Sequence, residues 1–149
     1  MRRAIAAGDG LWEDRLVAAH HRVARTPERD AEDPSRPSDA WMEANHAFHR
    51  ALVSGGDSPW LVRLWDLLFA QGERYRRLSV PLARSDRDIA REHRDILAAA
   101  LARDADRTVA LLVAHLERTS AIVLDAGLCP CTDGRTHRGL PDPAKKSAG

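Results

Sequence analysis

Cysteine is nearly absent. The chain has two, Cys129 and Cys131, one residue apart near its end. A disulfide framework is therefore excluded as the basis of the fold, and a reducing cytoplasm is the expected setting. Aromatic residues are scarce at 5%, with Tyr75 the single tyrosine. Lysine is confined to Lys145 and Lys146, so arginine carries nearly all the positive charge, a composition bias without functional content. An excess of either charge is also missing: 23 basic residues face 22 acidic ones, a net charge of +1. Such a balance gives no global attraction to nucleic acid or to an acidic membrane surface. No apolar run approaches the roughly 20 residues of a membrane-spanning helix. The start, MRRAIAAGDG, lacks the continuous apolar segment of a secretory signal. Strand-like alternation is absent, and so are a phosphate-binding glycine loop and a nucleophile elbow.

What is there is helix. At 149 residues, 44% apolar and 30% charged, the chain has the size and composition of one globular domain. Apolar residues recur at helical spacing in five main segments. The first spans residues 10 to 26, capped by Asp9, with Trp12, Leu16, Ala19, His20 and Val23 on its inner stripe. A polar linker with three prolines, RTPERDAEDPSRPSD, follows. Ser38 caps the second helix, 39 to 54, with Trp41, Asn45, Phe48, His49 and Leu52 inward. Ser58 and Pro59 start the third, which is expected to end near residue 79, before Pro81. Its inward stripe reads Leu61, Leu64, Leu68, Gln71, Tyr75 and Leu78. Ser85 is the expected cap of the fourth, ending near residue 102, with Ile89, His93, Ile96, Leu97 and Ala100 inward. The fifth covers 105 to 125, with Thr108, Leu111, Leu112, His115, Thr119 and Ile122 inward and Gly127 placed to end it. The expectation is an all-α, antiparallel bundle of about five to six helices over residues 1 to 126. The remainder, 127 to 149, is rich in proline, glycine and charge and is expected to be a disordered tail.

Three of these helices each turn one histidine inward: His49, His93 and His115. One adds Asn45 a turn before its histidine. Neutral imidazole is a good ligand for zinc, nickel, manganese or iron, and a bundle core is where facing helices can converge on an ion. Three imidazoles and one oxygen donor leave one or two positions open, which suits binding or catalysis more than a purely structural site. A single histidine on an apolar stripe is more often a core residue with one hydrogen bond, and His20 is read that way. His46 lies off the stripe and is read as solvated. Cys129, Cys131 and His137 have no paired second motif, which weighs against a soft-metal site in the tail. In GERYRRLS, three arginines surround Tyr75. Such a run is a solvated face or a carboxylate clamp.

The succession NHAFHRAL, SPWLVRLWDLL and EHRDILAAALARDADRTVALLVAHLERT resembles the effector-sensing FCD domain of FadR-subfamily, GntR-type transcriptional regulators. The resemblance covers about residues 1 to 126. Metal-binding members of that family carry Asp or Asn, then His four residues on, then two later histidines on the last two long helices. Here those positions are Asn45, His49, His93 and His115. The resemblance implies a helical bundle with a central cavity, a divalent metal (zinc first among the four), and a small organic acid docked beside it. It also implies a homodimer whose paired DNA-binding heads respond to that effector. Gln71, Arg74 and Tyr75 are the candidate effector contacts, although the sequence does not choose which arginine of GERYRRLS meets a second carboxylate.

The chain departs from the family pattern in two ways. No winged motif or basic recognition helix precedes Trp12, so no DNA contact is expected from this chain alone. The long first helix of the domain is expected to be cut short, with lower stability or stronger self-association as the consequence. Second, Asn45 stands where many members have Asp. A neutral amide is the weaker donor, and it leaves more positive charge on the ion for an incoming acid. Two other classes compete: a metal-dependent hydrolase, and a metal-free helical interaction module. The hydrolase needs a general base, and Glu92 and Glu117 both fall off the inward stripes.

Overall fold

The computed structural model describes residues 1–56, 58–82 and 87–125, without the side chains of Arg74 and of residues 78–82. Among these residues it has six helices: α1 (Arg2–Ala7), α2 (Gly10–Arg25), α3 (Asp39–Val53), α4 (Pro59–Leu82), α5 (Ile89–Leu101) and α6 (Ala105–Asp125). Local chemistry sets their starts. Asp9 accepts from the Trp12 amide at 2.8 Å, Ser38 from Trp41 at 3.3 Å, and Ser58 from Leu61 at 3.4 Å. Asp88 caps α5, accepting from the Arg91 amide at 2.7 Å. Ser85, the expected cap, lies outside the described residues, as do Gly127 and the tail from 127 to 149. The linker after α2 closes on itself: the Ser38 amide donates to the Glu28 carbonyl at 2.9 Å and Asp30 to Arg36 at 3.0 Å.

Two expectations are corrected. Helix α4 continues through Pro81 to Leu82. Proline lacks its own N–H, so the helix forgoes one bond to a preceding carbonyl while the residues before it keep theirs. The larger correction concerns the face α4 buries. Leu64, Leu68 and Tyr75 of the expected stripe are 52%, 60% and 40% exposed, and Gln71 is also exposed. Phe69 is buried instead, with Trp65, Gly72 and Arg76 half-buried along the same side. The first half of α4 is apolar almost all round, so two stripes about one residue apart fit it equally well. The aromatic pair Trp65 and Phe69 goes inward because it packs on His49, with ring centroids at 6.1 and 6.3 Å.

The main helices form a closed ring. α3 packs between α2 and α4, α6 between α4 and α5, and α5 returns to α2. The stripes expected for α2, α3, α5 and α6 all face the middle, where Leu16, Phe48, Leu52, Ile96 and Leu112 form the core. Helix α1 lies across α3 and α6 at one end and buries Ala4 and Ile5. The α5–α6 turn reaches back to it. Arg103, at φ 59°, ends α5 in the left-handed region, and the Asp104 amide bonds the Ala99 carbonyl at 3.0 Å. From there the Arg103 guanidinium donates to the Ile5 carbonyl at 2.9 Å and to Glu13 at 2.6 Å.

The seat of α1 is tight. A Cβ at Gly55 would lie 2.4 Å from the Ala4 carbonyl oxygen and 2.8 Å from Trp12 Nε1. Gly55→Ala is therefore expected to destabilise the domain by about 1–3 kcal/mol, read as a lower urea midpoint. An unchanged midpoint would show that α1 does not sit there.

Candidate functional site

His49, His93 and His115 are carried on α3, α5 and α6, each on the inward stripe of its helix, and the ring of helices brings them to one point. Their ring centroids are 5.2, 5.1 and 4.9 Å apart, nearly an equilateral triangle. One ring nitrogen from each lies within 4.8 Å of the other two. All three are buried, at 1%, 3% and 6% exposure. Phe48 packs on His49 and His93, with centroids at 5.3 and 5.0 Å, and walls the group from α2.

Burial disfavours the charged imidazole. It pushes His49 well below its ordinary value, with the neighbouring His93 and His115 adding to the effect. Burial also pushes His93 down to about 3. Neutral rings keep a lone pair available. Both nitrogens of His49, Nε2 of His93 and Oδ1 of Asn45 are buried and have no hydrogen-bond partner among the described residues. A buried polar atom without a partner costs about 1–3 kcal/mol. The orphans are the donor set of a borderline divalent ion: imidazole nitrogens and one amide oxygen. The residues present fit such an ion.

The third histidine differs. His115 Nδ1 lies 2.6 Å from Glu92 Oε2. Burial alone would raise the Glu92 carboxyl. Hydrogen bonds from His115, Arg87 and Arg118, with the Arg87 charge, outweigh it and hold Glu92 far below the usual carboxylate range. The sequence reading placed Glu92 off the stripe and missed this contact. Periodicity follows the Cα positions around a helix, whereas a glutamate is long enough to reach the next helix from its border.

Asn45, His49 and His115 line a cavity of about 270 Å³. It opens between α4 and α6, where Tyr75, Leu116 and Leu124 are exposed. Its lining includes Arg76, whose guanidinium lies 3.4 Å over the Phe69 ring and donates to the Phe69 carbonyl. Burial lowers Arg76 to about 10, with Glu73 opposing the shift, so it remains a cation at neutral pH. Of the expected effector contacts, Tyr75 lines this cavity, and Gln71 is exposed and does not. The Arg74 side chain lies outside the described residues. Arg76 belongs to the same run, and its spacing of seven from Phe69 was the available signal.

Two further histidines also differ from expectation. His20 is half-buried, with its Nε2 buried and without a partner among the described residues, and its ring edge meets Phe48 at 5.5 Å. His46 is half-buried rather than solvated: it stacks on Phe69 at 4.3 Å and pairs with Asp66 at 3.1 Å. Cys129, Cys131 and His137 lie outside the described residues.

A closed ring of helices with inward polar side chains beside a cavity defines the class as an all-α helical bundle domain. The particular family follows from comparison: the FCD domain profile matches residues 1–118, and the chain belongs to that family. It is 39% identical over 128 residues to the uncharacterized HTH-type transcriptional regulator BphR of Paraburkholderia xenovorans (strain LB400), covering 86% of this chain and 52% of that protein. It is 32% identical over 130 residues to the HTH-type transcriptional repressor GlaR of Escherichia coli (strain K12), covering 83% of this chain and 57% of that protein. The chain thus spans about half the length of these curated relatives. No solved structure matches it. Among the described residues no helix is long and apolar enough to cross a membrane.

The depressed histidines set a pH dependence. Between the ordinary value of 6.5 and about 3, the unfolded chain binds a proton that folded His93 refuses. Stability is therefore fully present above pH 6.5 and is lost as pH falls, and His49 acts in the same direction. In urea titrations with a chelator present, the loss is expected to approach about 1.4 kcal/mol per pH unit for each titrating histidine. A flat profile between pH 6.5 and 4.5 would contradict the burial of neutral imidazoles.

Proposed function

We propose that this domain binds one divalent metal ion, zinc first, through His49, His93, His115 and the amide oxygen of Asn45. We further propose that it senses a small organic acid in the cavity between α4 and α6. The observation that carries this reading is the convergence of three buried imidazoles, with the ring nitrogens of His49, Nε2 of His93 and Oδ1 of the cavity-lining Asn45 left without partners among the described residues. An ion there would supply a strong positive charge in a low-dielectric wall, where a carboxylate is the natural ligand. Arg76 and Tyr75 offer a second anchor across the cavity, which suits a dicarboxylate or hydroxy acid. In this role the chain acts as the effector-sensing and dimerisation domain of a GntR-type transcriptional regulator in the cytoplasm, with DNA contacted by another part of the regulator.

The hydrolase alternative gains little. It needs a carboxylate free to take a proton, and Glu92 is engaged by His115, Arg87 and Arg118. The metal-free module leaves the orphaned ring nitrogens without an account.

The homodimer is proposed to form on α4. Trp60, Leu64, Leu67 and Leu68 are 76%, 52%, 57% and 60% exposed along one face. Exposed side chains in a contiguous stripe mark an interaction surface, unlike single scattered ones. A second copy packed antiparallel about the middle of this stripe would set Trp60 of one copy against Leu68 of the other, an isologous contact.

Two outcomes are expected. Purified protein should hold about one equivalent of divalent metal by elemental analysis, and His93→Ala should abolish it. Asn45→Asp should raise metal affinity and weaken carboxylate binding in calorimetry. A metal-free wild type would sink the reading. Second, Leu64→Asp with Leu68→Asp should convert a dimer to monomer in sedimentation analysis without changing metal content. A dimer that survives both substitutions would remove α4 as its interface.

A further inference from the structure

Glu92 holds the His115 ring from outside the cavity, and the detail of that contact says what it does. A neutral imidazole carries one N–H. A carboxylate oxygen 2.6 Å from Nδ1, much closer than the Arg87 Nη2 at 3.5 Å, favours the tautomer with its proton on Nδ1, which leaves the lone pair on Nε2, the nitrogen on the opposite edge of the ring. Glu92 is itself fixed. Arg87 donates to both its oxygens, Nε to Oε1 at 3.2 Å and Nη2 to Oε2 at 2.9 Å, and Arg118 adds 2.9 Å to Oε1. The side chains of Arg87 and Glu92 are only 10% and 13% exposed. Arg87 then turns back to α6, donating to the His115 carbonyl and to Thr119 Oγ1, both at 3.1 Å. Ring and backbone of His115 are thus gripped by one clamp. His49 has no such support: neither of its nitrogens meets a partner among the described residues.

We propose that Glu92 is a positioning residue for the metal centre, fixing His115 in the tautomer and orientation that present Nε2 to the ion. This rests on the metal-binding reading above. Helix α5 then serves the centre twice, supplying His93 as a ligand and, one residue earlier, the carboxylate that aims the ligand on α6. Carboxylate support of this kind orients a ring and strengthens its donor nitrogen.

The test compares zinc affinity, by chelator competition, in wild type, Glu92→Gln and Arg118→Gln, with circular dichroism confirming helix content. Glu92→Gln is expected to weaken zinc binding by about 10- to 100-fold. Arg118, 58% exposed, loses only an exposed ion pair when changed, so Arg118→Gln should shift affinity by less than about five-fold. Long-range nitrogen–proton NMR of metal-free wild type supplies a readout that needs no variant: His115 should be protonated at Nδ1. Zinc bound by wild type and equally by Glu92→Gln would overturn the positioning role alone. A His115 protonated at Nε2 would overturn it as well. A wild type that takes up no zinc would overturn both this role and the reading beneath it.

Discussion

Three imidazoles meet in the middle of an otherwise apolar ring of helices, and the rest of the structure is arranged around that meeting. Each sits where an aliphatic side chain would stabilise the bundle more. Desolvation disfavours the charged form of His49 and His93, and the low dielectric makes every unpartnered nitrogen costly. The neighbours follow from this. Phe48 closes the side toward α2, Trp65 and Phe69 turn α4 by one residue to cover His49, and Glu92 crosses from α5 to α6. A divalent ion, as proposed, would offset that cost at several donors at once.

The proposed centre is open to a cavity, which suits sensing more than a purely structural role. A closed site would surround its ion with protein ligands. Here Asn45, His49 and His115 form part of a cavity wall that opens between α4 and α6, with Arg76 also in the lining. A neutral amide in place of a carboxylate leaves the site more positive, which favours an acidic ligand. Under the proposed reading, the charge that would recognise an effector is divided between the ion and Arg76 in the cavity lining.

Much of this was legible in the sequence, and the exceptions have physical reasons. Asn45, His49, His93 and His115 fall on strongly amphipathic helices, where a period of 3.6 leaves one choice of face. Helix α4 is apolar on several sides, so period alone could not decide between the Leu64–Leu68 side and the Trp65–Phe69 side. Contact with the histidines decided it, and the exposed leucines were left for another surface. Glu92 escaped because side-chain reach is not encoded in helical spacing. Arg76 escaped because the rotation of α4, which brings it to the cavity, is not set by the spacing within GERYRRLS.

X-ray absorption at the metal edge of the zinc-loaded protein tests the central claim most directly. The account requires a first shell of nitrogen and oxygen at about 2.0–2.1 Å with the multiple-scattering pattern of three imidazoles. A sulfur shell at about 2.3 Å would place the ion on Cys129 and Cys131 instead and contradict the account.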